Sequence, residues 1–138
     1  MDRYADAEAS ATGALAMTRR GDERDHESRL QALMVLAACS WRQGRLAEAK
    51  HHYEQALRQA PPSRDPNYAA AILDNLALVE KSRGDYDAAL RLALESLAQH
   101  RRLGDIAGVA LCLNNLAALN LDRGALDEVE AHARRSSA

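Results

Sequence analysis

The sequence predicts an all-α solenoid, a stack of antiparallel helix pairs, and three observations carry that prediction. First, hydrophobic residues make up 47% of the 138 residues, yet Phe is absent and aromatics are only 4%. Ala and Leu dominate instead, and they are the best helix formers among apolar residues. Residues that favour strands are scarce. Second, the chain repeats itself: Gly44, Gly84 and Gly124 recur every 40 residues. Third, apolar residues inside each copy fall three and four apart, the spacing of one helix face.

Sliding the chain by 40 aligns further columns without a gap. Leu33, Leu73 and Leu113 match, as do Leu36, Leu76 and Leu116, then Ala37, Ala77 and Ala117. After each glycine come Leu46, Tyr86 or Leu126, then Ala49, Ala89 or Val129. The small residues let paired helices approach closely, and the larger ones fill the space at the turn.

The predicted elements follow in order. A leading helix over 4–19 reads as the second half of an earlier repeat, because Tyr4, Ala7, Ala14 and Leu15 align with Leu46, Ala49, Ala56 and Leu57. Helices over 27–43 and 46–60 form the first full pair, with Gly44 able to take the left-handed conformation of a helix C-terminus. Pro61, Pro62 and Pro66 end one helix and start the next. A second pair occupies 67–83 and 86–103, and a third 106–123 and 126–135. That is about seven helices in one domain: a half repeat over 1–22 and repeats over about 27–63, 67–103 and 106–138. The last helix, VEAHARRSSA, is far more polar than its counterpart ALRLALESL. It reads either as a solvating end cap or as the start of further repeats.

The segments G-R-L-A-E-A (44–49) and G-D-Y-D-A-A-L (84–90), with the L-x-x-L-A stretch before each glycine, resemble the tetratricopeptide repeat. The usual period of that family is about 34 residues. The longer period here, with L-D-N-L-A (73–77) and L-G-D-I-A-G-V-A-L-C-L-N-N-L-A (103–117), is similar to the subclass of kinesin light chains, LGN-type adaptors and bacterial regulators. The resemblance implies a right-handed superhelix whose concave groove, lined by each repeat's first helix, holds a peptide or helix of a partner.

With the core columns assigned, the adjacent stripe of each first helix faces that groove. It carries Met34, Trp41 and Arg42 in the first copy, Asp74, Asn75, Leu78 and Lys81 in the second, and Asn114, Asn115, Leu121 and Asp122 in the third. Asn75 and Asn115 share a column, interrupted by Val35 in the first copy. An amide offers both a donor and an acceptor, and the resemblance implies that this asparagine pairs with the backbone of a bound peptide. The alternative is that each amide bonds a neighbouring helix or water. Trp41, the sole tryptophan, is either an aromatic anchor or a cover for the Ala-rich leading helix. Arg42 and Lys81 suit a partner's carboxylates, and Asp74 and Asp122 its basic groups.

Catalytic and metal patterns are missing from the sequence. His26, His51, His52, His100 and His132 form no pair four apart around a Glu. Cys39 and Cys112 have no CxxC spacing and read as small core residues. Glu48 with His51 and His52, and Glu128 with His132, read as helix-surface pairs. No GxxxxGK[ST], GxGxxG or GxSxG occurs. The expectation is therefore no enzyme, no cofactor and no metal. Lys and Arg total 18 against 20 Asp and Glu, which argues against a nucleic-acid partner. No run approaches the ~18 apolar residues of a membrane span, and the cysteine usage suits the cytoplasm. The functional expectation is a protein-interaction scaffold. The alternatives are a homodimer or higher oligomer assembling through the repeat ends, or a fragment of a bacterial regulator sensing a peptide or effector.

Overall fold

A computed structural model describes residues 3–17 and 23–137. Six helices stand there, and no strand occurs among the described residues. They are α1 (Arg3–Met17), α2 (Glu23–Arg42), α3 (Leu46–Gln59), α4 (Pro66–Ser82), α5 (Tyr86–Leu103) and α6 (Ile106–Ser137). Residues 18 and 19, placed in the leading helix by the sequence, lie outside the described residues.

Each helix makes its substantial contacts with its neighbours in the chain: α1 with α2, α2 with α3, and so on to α5 with α6. Short turns between packed neighbours force them antiparallel, and the result is a one-dimensional stack of helices. The turns at Gly44, Gly84 and Gly104 share one geometry. Each glycine has a positive φ, of 78°, 83° and 68° respectively. Its N–H bonds a carbonyl three residues back, and the next N–H bonds one five residues back, as in Arg45 N–H to Ser40 O at 2.8 Å and Asp85 N–H to Glu80 O at 2.9 Å. This double bond pattern satisfies carbonyls that the helix end would otherwise orphan. Pro66 opens α4, where a missing N–H costs nothing.

The core follows the predicted columns in the first two copies. Leu33, Ala37, Ala49, Leu73, Ala77 and Ala89 are all buried. Leu30, Leu33, Tyr53, Ala56, Ala60, Ile72, Leu76 and Val79 join in one cluster that spans α2, α3 and α4. Burial of Tyr53 raises its phenol above the usual range. Leu15 of α1 packs against the same cluster, while Tyr4 is exposed.

The third copy departs from the predicted pair. The turn expected at Gly124 is absent, and α6 runs for 32 residues, about 48 Å, straight through it. The chemistry after the glycine differs from that at Gly84, although Arg45 after Gly44 makes no side-chain cap either. Asp85 follows Gly84 and caps α5 by accepting the Ala88 N–H at 3.1 Å. Ala125 stands at that place after Gly124 and has no side-chain acceptor. The residues beyond it are mostly good helix formers, so the helix continues. Leu113 consequently stays 48% exposed, where Leu33 and Leu73 are 1% and 2%.

Two substitutions test this asymmetry. Gly84→Ala forces an L side chain into a positive φ and is expected to lower the unfolding free energy by about 1–2 kcal/mol. Gly124→Ala replaces a helical glycine with open space around it, and should raise stability by up to about 1 kcal/mol. Urea unfolding monitored by circular dichroism measures both. A destabilising Gly124→Ala would mean that the chain turns there after all.

Candidate functional site

The predicted groove residues divide into three groups. The first group packs inward or ties helices together. Met34 and Trp41 rest against the α2–α3–α4 core, and the Trp41 indole donates to Ser82 Oγ at 3.2 Å. Trp41 thus joins α2 to α4 as a cover. Tyr68 repeats the link at the other end of α4, donating to Glu27 at 2.8 Å. Lys81 reaches Asp122 of α6 at 3.4 Å, so these two charges answer each other across the stripe.

A second group stays on the surface. Arg42, Asn114 and Leu121 are exposed, Leu121 by 75%. Asn75, Leu78 and Asn115 are half-buried. Leu78, Lys81, Asn115, Ala77 and Leu119 line a small cleft between α4 and α6. The amides of Asn75 and Asn115 make no hydrogen bond to another described residue, and neither amide is a buried orphan. They are polar groups on a half-apolar surface with their bonding capacity left for solvent or a ligand.

Asp74 forms the third group alone, and here the expectation needs correction. Its carboxylate is turned away from the stripe into the seam where α4, α5 and α6 meet. Oδ2 lies 2.9 Å from His100 Nε2. Oδ1 accepts from the Ser96 hydroxyl and lies 3.3 Å from Cys112 Sγ. The other imidazole nitrogen, His100 Nδ1, lies 3.1 Å from Asp105 Oδ2. Asp105 in turn caps α6, its Oδ1 accepting the Gly108 N–H at 2.9 Å. Gly108 is needed there, because a Cβ at that position would collide with the His100 ring. Ser96, His100 and Cys112 are buried, and Asp74 is partly so. Burial and the neighbouring Asp74 carboxylate push the Cys112 thiol up, only partly opposed by a hydrogen bond with Ser96.

Sequence reasoning missed this network because its members are scattered over α4, α5 and α6 and meet only through helix stacking. A signal was present in the repeat columns. One period earlier, Asp74, Ser96, His100 and Cys112 correspond to Met34, Ala56, Ala60 and Ile72. Those four sit together in the apolar core. One seam is greasy and its copy is polar. A second unforeseen feature is Glu80, buried and paired with Arg83 at 2.8 Å and Lys50 at 3.5 Å. Among the expected acidic–His pairs, Glu48 instead approaches Arg45 at 3.4 Å and Ser40 at 3.5 Å.

Removing the Asp74 carboxylate leaves His100 Nε2 without its partner and takes an acceptor from Cys112 and from Ser96, whose hydroxyl can still donate to the Ala70 carbonyl at 3.2 Å. Asp74→Ala is expected to cost about 1–3 kcal/mol, and Asn75→Ala, one residue away, less than about 0.5 kcal/mol. Chemical denaturation of the two variants would measure the contrast. With both cysteines buried and Cys112 held as the thiol, native protein at neutral pH should react with a thiol reagent far more slowly than unfolded protein. Rapid labelling of Cys112 in the native state would contradict its placement.

No helix among the described residues is long and apolar enough to cross a membrane. No curated protein sequence matches the chain. A tetratricopeptide repeat family model matches residues 1–61 and 68–138.

Proposed function

The chain belongs to the tetratricopeptide repeat family, whose helix-pair arrays generally mediate protein–protein interaction, and from that premise we propose that it is a scaffold holding an extended peptide of a partner along the α4–α6 stripe. The observation that carries this reading is the pair Asn75 and Asn115. They sit one period apart, half-buried, with amides that bond no other described residue. Each can give and take a hydrogen bond with a peptide backbone. Leu78 supplies apolar surface beside Asn115, and the solvated Lys81–Asp122 pair, which a ligand's own charges can exchange with, supplies both signs of charge. The site recognises a main chain of mixed-charge sequence.

The test is capture of partners from lysate by the full chain, compared with an Asn75→Ala/Asn115→Ala double variant and identified by mass spectrometry. Trp41 is left intact because it braces α2 against α4. The expected result is loss of the captured partner with an unchanged circular dichroism melt. Equal capture by both proteins would remove the site from this stripe.

A second reading, self-association through the α6 end, has its own observation. Leu113, Leu121, Leu126 and Val129 are exposed on α6 by 48%, 75%, 41% and 66%. Beside them an open groove of about 760 Å³, lined by Leu90, Leu94, Ala98 and Leu116, runs between α5 and α6. A second copy of α6 would cover this apolar surface. Light scattering over a dilution series should show a dimer that dissociates, shifted to monomer by Leu113→Asp. A monomer at every concentration rules the reading out.

A further inference from the structure

The polar seam between α4, α5 and α6 is larger than structural need explains. The equivalent seam one period earlier is filled by the apolar side chains of Ala56, Ala60 and Ile72, all buried, and of Met34, partly buried. Replacing such a core by Asp, Ser, His and Cys costs desolvation, which hydrogen bonding recovers only in part. The replacement also demanded a glycine at 108, inside the first turn of α6, to admit the imidazole, and glycine inside a helix is itself unfavourable. The three substitutions that matter most supply a carboxylate, an imidazole and a thiol whose ligand atoms all lie within 4.8 Å of one another.

We propose that Asp74, His100 and Cys112 form a binding site for a late divalent transition metal, of which zinc is the natural occupant. The donor set decides the class of ion. A thiolate with an imidazole favours zinc, cobalt, nickel or copper, whereas magnesium and calcium want oxygen alone. The cluster has nearly the dimensions of a tetrahedral centre, with its three ligand atoms within 4.8 Å of one another. Bonds of about 2.0–2.3 Å imply ligand-to-ligand edges of roughly 3.3–3.6 Å. Asp74 Oδ1 to Cys112 Sγ is 3.3 Å, within that range, whereas Asp74 Oδ2 to His100 Nε2 is 2.9 Å, a hydrogen-bond distance that lengthens by a few tenths of an ångström when the ion replaces the hydrogen. Small side-chain shifts admit the ion.

The surrounding groups suit the chemistry as well. Metal-bound histidine usually donates its second ring N–H to a carboxylate, which fixes the tautomer and raises the ring's basicity. Asp105 Oδ2 is in that place, 3.1 Å from His100 Nδ1, and is itself held by the Gly108 N–H. On binding, the Cys112 thiol loses its proton to solvent and its sulfur bonds the metal. The hydrogen between His100 Nε2 and Asp74 Oδ2 leaves to solvent as well, so the ring carries its one N–H on Nδ1, facing Asp105. His100 then binds as the neutral imidazole through Nε2, and Asp74 as the carboxylate. Two negative ligands then neutralise the divalent ion. The fourth position falls to the Ser96 hydroxyl, which already bonds Asp74, or to water. The partial exposure of Asp74, 18% at its side chain, provides the way in. Three helices are bound by one ion, so occupancy locks α6 onto the α4–α5 pair.

Titration of the reduced, metal-free full chain with Co²⁺ tests the proposal. The expected spectrum has tetrahedral ligand-field bands in the visible and a thiolate-to-cobalt charge-transfer band in the near ultraviolet, at one ion per chain. The charge-transfer band should vanish in Cys112→Ser and persist in Cys39→Ser. Zinc should displace the cobalt. Zinc at about 100 times its dissociation constant should also raise the melting temperature by roughly 10 °C, and Asp105→Asn should weaken that affinity by about 10-fold or more. A circular dichroism spectrum of Cys112→Ser matching wild type establishes that the lost band is not lost folding. His100→Gln gives a second variant should it not match. Absence of any thiolate band, a band that survives Cys112→Ser, or equal stabilisation of wild type and Cys112→Ser by zinc would each overturn the proposal and leave the cluster a hydrogen-bonded seam only.

Discussion

A helix in a stacked array is buried only as far as its neighbours cover it. Every interaction in this protein answers to that requirement. Leu33 lies on α2 between α1 and α3, Leu73 on α4 between α3 and α5, and both are nearly sealed from water. Leu113 occupies the same column on α6 and is half-exposed, because among the described residues α5 alone packs along that helix as a chain neighbour. Identical chemistry thus gives a core residue twice and a surface residue once. The small residues matter for the same reason. Ala37, Ala49, Ala77 and Ala89 let helix axes approach closely enough for the leucines beside them to be covered.

The 40-residue period made the α2–α5 framework legible, because helical spacing and turn glycines coincide there. The period also carried the argument too far. It placed a turn at Gly124 by analogy with Gly44 and Gly84, although the following residue had changed from Arg or Asp to Ala. Gly104, by contrast, has no glycine partner one period back, where Arg64 stands, yet it makes the same left-handed turn. A glycine makes a turn possible, while caps and packing partners decide whether it forms. The candidate site was legible where a residue's face could be counted from the core columns, as for Asn75 and Asn115. Asp74 escaped that counting. It borders the core stripe, and which side it joined was settled by His100 and Cys112, residues far off in the chain.

The polar seam and the bare α6 face bear on one another. The network around Asp74 fastens the first turns of α6 to α4 and α5, so the front of that helix is well anchored. Farther along, Lys81 and Asp122 make one more tie, and Arg123 reaches Asp87 at 3.0 Å. Both of these are partly solvated ion pairs and contribute little. Past Arg123 the helix is mostly exposed. The polar groups hold the place where α6 passes from its covered first turns to its exposed remainder.

The dominance of contacts between successive helices, with only thin ties two helices apart, also fixes how the molecule comes apart. In a compact globule a disturbance anywhere loosens a shared core. Here opening α6 beyond its anchored turns exposes little and leaves α2 to α5 intact, whereas releasing α4 separates the array into two halves. Local opening free energy therefore grades along the chain, lowest at the far end of α6 and highest in the middle. Backbone amides of α4 report global unfolding. Those past Gly124 open and close on their own, on a clock that the rest of the protein does not set.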